Sequence, residues 1–281
     1  MYQTENYTNP IKHEVPLPTE AGLFCENDKT RTMKRIAIQG IKGSYHDMAA
    51  HYFFHNEDIE LICCSTFEEV FATVKDDSTI LGMAAIENTI AGSLLHNYEL
   101  LCDSGLTIVG EHKLRISHSL LCLPDDNLED ITEVHSHPVA LMQCREFLAR
   151  HPRLKVVEGE DTAGSAEIIS REQLRGQAAI CSKFAAPLYG MKVLEEGIET
   201  NKHNFTRFLV VADPWQVDEI RKQNTVLNKA NIVFTLPHSE GSLSQVLSIL
   251  SFYNINLTKI QSLPIIGREW EYQFYVDVAF N

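Results

Sequence analysis

The stretch Asn204-Phe205-Thr206-Arg207-Phe208-Leu209-Val210-Val211 decides how this chain is read. A hydroxyl donor and a fixed cation lie between two aromatic rings, at the start of an apolar, β-branched run. Successive strand residues point to opposite faces. Thr206 and Arg207 therefore share a side only if the strand begins right there; at a strand mouth both would reach a cleft from adjacent directions.

Outward from this stretch, short apolar runs alternate with helical patterns from residue 35 onward. Strands are expected at 36–38, 80–86, 106–109, 131–134, 154–157 and 178–180, with an extended piece at 114–123. Helices are expected at 139–150, from 162, and near 183–188. Ser44 with Asp47, and Thr66 with Glu69, have the spacing of capping boxes. The alternation predicts an α/β protein with mainly parallel sheets. Residues 35–212 are too many for one small sheet, which predicts two lobes with a cleft between them. Residues 1–33 are polar and aperiodic and read as a flexible leader. Residues 213–229 read as a linker, and 230–281 as strand, helix, strand, strand, a partial ferredoxin-like α+β unit.

Composition narrows the partners. Across 281 residues, 24 Lys and Arg oppose 38 Asp and Glu, a formal charge of −14. Such a surface repels nucleic acid and anionic membranes, so neither is expected as a partner. An anionic substrate would have to be held by few, local groups, which singles out Arg207. The seven cysteines show no C-x-x-C spacing and read as thiols of a reducing cytoplasm. No apolar run is long enough to span a membrane, and there is no signal-peptide pattern.

Four more stretches place polar residues at strand ends, where open α/β sheets bind ligands. Gly40-Ile41-Lys42-Gly43-Ser44-Tyr45 feeds a helix whose free amides suit a carboxylate. Ile86-Glu87-Asn88 puts an acid and an amide where burial demands partners. His135-Ser136-His137-Pro138 is followed by Gln143 and Cys144. Asp161-Thr162-Ala163 is an N-capped helix start. The two histidines lack a partner set with zinc spacing, so no metal is expected. With no G-x-G-x-x-G, P-loop or nucleophile elbow, no cofactor is expected either.

Taken in order, these stretches, with Tyr189-Gly190, resemble prephenate dehydratase from about residue 34 to 211. The rest resembles a truncated ACT regulatory domain through Gly241-Ser242-Leu243 and Ile260-Gln261-Ser262-Leu263-Pro264. The resemblance implies a two-lobed, periplasmic-binding-protein-like α/β catalytic domain at 34–212 with an interlobe cleft, followed by the partial ferredoxin-like unit. It implies cofactor-free decarboxylation and dehydration of prephenate to phenylpyruvate, in phenylalanine biosynthesis. L-phenylalanine would be the effector, and a homodimer or homotetramer the assembly. Thr206 would donate a hydrogen bond to the leaving hydroxyl and Arg207 would grip a substrate carboxylate. Glu87 and Asn88 would shape the polar end of the cleft. Ser44, Ser136, His137, Gln143, Asp161, Thr162, Asn204 and Phe208 would contact substrate or support those that do. Gly241, Ser242, Leu243, Gln261 and Ser262 would serve regulation.

The chain departs from the family pattern in places. Ile41, Ser44, Tyr45 and His46 replace the proline, threonine, phenylalanine and serine of the first turn. Thr200 replaces an aspartate. Gln261 and Leu263 replace both charges of a Glu-Ser-Arg-Pro motif, which predicts weak phenylalanine binding. The closing helix and strand of the ACT unit are expected to be missing, leaving its first strand with an open edge. Two other readings stand beside the enzyme: a non-catalytic sensor of aromatic acids, and a metal-dependent hydrolase built on His135 and His137. The intact Thr206-Arg207 pair favours the enzyme.

Overall fold

The computed structural model describes residues 33–217, 227–265 and 267–280. Residues 1–32 of the expected leader, and residues 218–226 of the expected linker, lie outside the described residues.

The first lobe opens with β1 (Lys34–Gln39), α1 (Tyr45–Phe53), β2 (Ile59–Cys64), α2 (Phe67–Asp76) and β3 (Leu81–Asn88). It continues with β4 (Gly92–Ser93), α3 (Leu95–Ser104) and β5 (Thr107–Arg115). A second lobe follows: β6 (Ser119–Cys122), β7 (Glu133–Ser136), α4 (Pro138–Gln143), α5 (Arg145–Arg150) and β8 (Lys155–Glu158). It ends with α6 (Thr162–Glu172), β9 (Gln177–Cys181), α7 (Ala185–Leu188) and β10 (Lys192–Glu196). The chain then returns to the first lobe as β11 (Phe205–Ala212). The C-terminal unit comprises β12 (Lys229–Thr235), α8 (Ser242–Phe252), β13 (Asn256–Pro264) and β14 (Tyr272–Ala279).

The first sheet runs β2-β1-β3-β11-β5 with β4 on β3, the second β10-β6-β9-β7-β8, and the third β12-β14-β13. Each lobe is mixed rather than mainly parallel. β1 is parallel to β2 and β3, while β11 is antiparallel to both β3 and β5. The reason is topological: the chain crosses to the second lobe after β5, which runs parallel to β3 toward the cleft, and β11 on its return has to enter the sheet from the cleft end. In the second lobe β7 is parallel to β8 and β9, and β6 is antiparallel to β9 and β10. β12 lies at the edge of its sheet, as expected.

Local chemistry sets the boundaries. Ser44 Oγ accepts the Asp47 N–H at 3.2 Å, and Asp47 Oδ2 accepts the Gly43 N–H at 2.7 Å. Thr66 and Glu69 close the second box through the Glu69 and Ser65 N–H groups. β3 and β11 read as unbroken apolar runs because both their faces are covered. Met83, Ala85, Phe208 and Val210 pack on Ala49 and Ala50 of α1. Ala84, Ile86, Leu209 and Val211 pack on Tyr98 of α3 and Tyr275 of β14. The C-terminal unit thus docks on the first sheet's outer face.

The single helix expected at 139–150 is two helices. Thr200 N–H takes the Gln143 carbonyl at 2.8 Å, and Thr200 Oγ1 accepts the Glu146 N–H at 3.2 Å. That wedge ends α4 and leaves Gln143 at its last turn. The expected extended piece at 114–123 likewise breaks between β5 and β6. No helix among the described residues is long and apolar enough to cross a membrane.

Candidate active site

β11 carries the alternation its sequence requires. Thr206 pairs with Asn88 and Arg207 with Glu87 in register with β3. Thr206 and Phe208 line a cavity of about 470 Å³ between the lobes, together with Asn88, Gln143, His118 and Asp161. Arg207 and Glu87 face the other way.

A chain of buried hydrogen bonds crosses from lobe to lobe under this cavity. Asn88 Oδ1 accepts the backbone N–H groups of Ile90 and Ala91 at 2.9 and 2.8 Å. Asn88 Nδ2 donates to Asn204 Oδ1 at 2.8 Å and to Thr206 Oγ1 at 2.9 Å. Asn204 Nδ2 donates to Gln143 Oε1 at 2.9 Å. His118 Nε2 lies 2.8 Å from the same Gln143 oxygen, and His118 Nδ1 lies 2.8 Å from the Tyr45 hydroxyl. The Tyr45 hydroxyl is also 3.0 Å from the Ser117 carbonyl. Buried polar groups of this kind hold a unique arrangement when they find partners, and here every side chain of the chain has at least one.

The cavity wall sets a few amides, hydroxyls and imidazoles among apolar side chains such as Leu94, Ile116 and Phe208, and contains no lysine or arginine. Three helix starts face it: α1 capped by Ser44, α4 capped by His137 Nδ1, and α6 capped by Asp161 Oδ1. Thr162, the first residue of α6, lines it too. Asp161 and Glu160 bring the only carboxylates among the lining residues. His46, which packs edge-on against Phe208, is pushed down to about 4 by burial and stays neutral. Burial also lowers His118, against its hydrogen bond to the Gln143 amide oxygen and the nearby Glu199 carboxylate. The Tyr45 phenol is raised well above its usual range, chiefly by burial.

Arg207 corrects an expectation. Its guanidinium bonds Glu111 of β5 at 2.8 Å and the Asp277 carboxylate of β14. Glu87 Oε2 is 4.0 Å from it and 2.9 Å from Lys259 of β13. Strand alternation prevails over the strand-mouth reading, because β11 is already paired on both sides at Thr206. Arg207 and Glu87 therefore join the first lobe to the C-terminal unit and do not reach the cleft.

Ser136 is fully buried and donates to the Ile180 carbonyl beneath the cleft floor, so it does not line the cavity. Asn204, also fully buried, acts through Asn88 and Gln143. His135 lies 3.4 Å from Glu133, and no cluster of three or more metal-ligating side chains occurs among the described residues. Of the regulatory candidates, Ser242 and Leu243 line a separate surface pocket with Pro237, Trp270, Tyr272 and Phe274. Gly241 caps α8 with positive φ, while Gln261 and Ser262 lie on β13, outside that pocket.

Tyr45, His46 and His118, with Gln39 and Glu160, are the polar lining residues that sequence reasoning did not select. The signal for His118 was its place between two extended apolar pieces, where an imidazole has to find partners.

Two α/β lobes around a cavity lined by helix starts and amides define a small-molecule-binding α/β protein with an interlobe site. The prephenate dehydratase family model matches residues 36–215, and the chain belongs to that family. It is 34% identical over 272 residues to arogenate dehydratase/prephenate dehydratase 2 of Arabidopsis thaliana, covering 94% of this chain and 70% of that one. Among solved structures it is similar to GqqA, described as a novel type of quorum quenching acylase, with 31% identity, a TM-score of 0.76 and 88% of each chain covered. The Arthrobacter aurescens prephenate dehydratase in complex with L-Phe matches at 25% identity and a TM-score of 0.75, covering 88% of this chain and 80% of that one. The chain spans 59% to 71% of the length of its curated relatives.

Proposed function

We propose that this chain is a carbon–oxygen lyase that converts prephenate to phenylpyruvate, carbon dioxide and water. The electron pair of the bond to the ring carboxylate moves into the ring, the bond to the ring hydroxyl breaks, and that hydroxyl leaves as water after taking up a proton. Aromaticity drives the step, so the protein has to bind, orient and assist departure of the hydroxyl. Thr206 is assigned the donor role. The observation that carries the reading is that its oxygen accepts from Asn88 at 2.9 Å on the cavity wall, and its own hydrogen takes no acceptor among the described residues.

With Arg207 engaged elsewhere, the substrate carboxylates are assigned to the helix starts at Ser44 and Thr162, whose amides and dipoles favour anions. We assign residues 34–212 to catalysis, 213–229 to a linker and 230–281 to regulation, in a cytoplasmic homo-oligomer. The pocket at Ser242 and Leu243 is the candidate site for phenylalanine, supported by the L-Phe complex of the Arthrobacter aurescens relative. The test is phenylpyruvate formation by purified protein without added cofactor, with prephenate and arogenate compared side by side. A folded protein inactive on both would overturn the reading.

A further inference from the structure

Which way each amide in the buried chain points follows from backbone groups alone. The N–H groups of Ile90 and Ala91 can only donate, so the Asn88 atom facing them is its oxygen. Both hydrogens of Asn88 Nδ2 are then spent, one on Asn204 Oδ1 and one on Thr206 Oγ1. Asn204, held as acceptor on that side, presents Nδ2 to Gln143, which has to meet it with Oε1. That oxygen only accepts, so the His118 nitrogen 2.8 Å away carries a hydrogen. A neutral imidazole protonated on Nε2 leaves Nδ1 as an acceptor, and the Tyr45 hydroxyl 2.8 Å away offers it a single hydrogen for which the Ser117 carbonyl, 3.0 Å away, is the competing acceptor.

Two groups are left over. The Thr206 hydroxyl hydrogen and the Gln143 amide nitrogen take no acceptor among the described residues, and both residues line the cavity. The chain of bonds therefore presents two donors, on a wall without lysine or arginine, to a substrate rich in acceptors. Reversing Gln143 would set its nitrogen against the Asn204 amide donor.

We propose that His118 is a positioning residue for the dehydratase reaction: neutral and protonated on Nε2, with Tyr45 holding that tautomer, it locks Gln143 so that its amide nitrogen and the Thr206 hydroxyl both act as donors in the cleft. The bland alternative is a satisfied core histidine with no bearing on turnover. This inference rests on the proposed dehydratase function for its kinetic arm only.

Long-range ¹H–¹⁵N NMR of the histidine rings in the full-length protein tests the tautomer, with His118 assigned by its loss in a variant. The expected result is a proton on Nε2 and none on Nδ1; a proton on Nδ1 overturns the proposal. Kinetics on prephenate form the second arm. His118→Leu should lower kcat by about tenfold or more while KM moves less, and His118→Gln, which restores a donor near Nε2, should stay within about threefold of the parent. Full kcat in His118→Leu, or a His118→Gln no better than His118→Leu, overturns it. Should His118→Leu fail to fold, the tautomer of the unaltered protein still decides. An unaltered protein inactive on prephenate and arogenate would sink the functional reading and leave the tautomer result standing.

Discussion

Removing the Arg207 guanidinium separates two roles that sequence alone left joined. Arg207 is 16% exposed, and its partners Asp277 and Glu111 are 9% and 18% exposed. Deleting one member of a buried pair costs about 3–5 kcal/mol, because the other charge stays buried without its counter-ion. Here residual exposure matters, and Lys229 still reaches Glu111 at 2.7 Å while Lys259 still reaches Glu87 at 2.9 Å. The expected loss for Arg207→Met is thus about 2–3 kcal/mol. For a chain of this size that is a fall in Tm of about 4–12 °C. Asp277→Asn should reproduce much of it, and the double variant should be less than additive because the two side chains touch. If Arg207 instead gripped a substrate carboxylate, losing a charge-assisted bond of about 1.5–3 kcal/mol would raise KM about 10- to 150-fold. The assay is thermal unfolding beside initial-rate kinetics on prephenate well below Tm. A normal Tm with a KM raised thirtyfold would refute the placement of Arg207 on the outer face.

Thr206→Ala should lose about 10²–10³ in kcat with an unchanged Tm, and Thr206→Ser should keep most turnover; steady-state rates check both. Gly43 has a φ of +85°, and a Cβ there would meet Ala185 Cβ of the second lobe at 3.0 Å, so Gly43→Ala should lower Tm by several degrees and raise KM together. His46 is neutral down to about 4 in the fold but titrates near 6.5 unfolded. The unfolded chain therefore binds the extra proton between those values, and stability, full above about pH 6.5, should fall toward pH 4. His46→Gln should flatten that slope in urea unfolding. Glu111 is pulled the other way: burial raises it, but Lys229 and Arg207 outweigh burial and hold it low. Its contribution is present above the ordinary carboxylate range and lost only as pH falls through its depressed value, so Lys229→Met should cost most stability above about pH 4.5 and progressively less below it. Calorimetry should show phenylalanine binding to the C-terminal unit weakly, since Gln261 and Leu263 carry no charge; tight binding would contradict that.

What could be read from the sequence was what local chemistry fixes. The caps at Ser44, Thr66 and Asp161 lie where their hydroxyl or carboxylate has a free N–H three residues on. Asn88 was singled out because an amide at the end of an apolar run demands partners, Thr206 because a hydroxyl opens such a run, and Gln143 through the family resemblance. The misses need distant residues. Whether Arg207 faces the cleft depends on both neighbours of β11, which are 89 or more residues away in β5 and further in β3. The break after Gln143 depends on Thr200, and nothing within 139–150 announces it. β2 and β10 were passed over because each is a short strand at or near a sheet edge with its apolar residues only half-covered. His118 was not singled out, because its partner Tyr45 is 73 residues away in the other lobe.

The late return of β11 has a consequence for synthesis. When the ribosome has added Glu196, all five strands of the second sheet exist, yet the first sheet still has a gap between β3 and β5. The Thr206 hydroxyl, proposed to assist the reaction, is made together with the strand that fills this gap. On that proposal a nascent chain cannot begin catalysis half-built, because this hydroxyl and the final brace of its lobe emerge as the same eight residues.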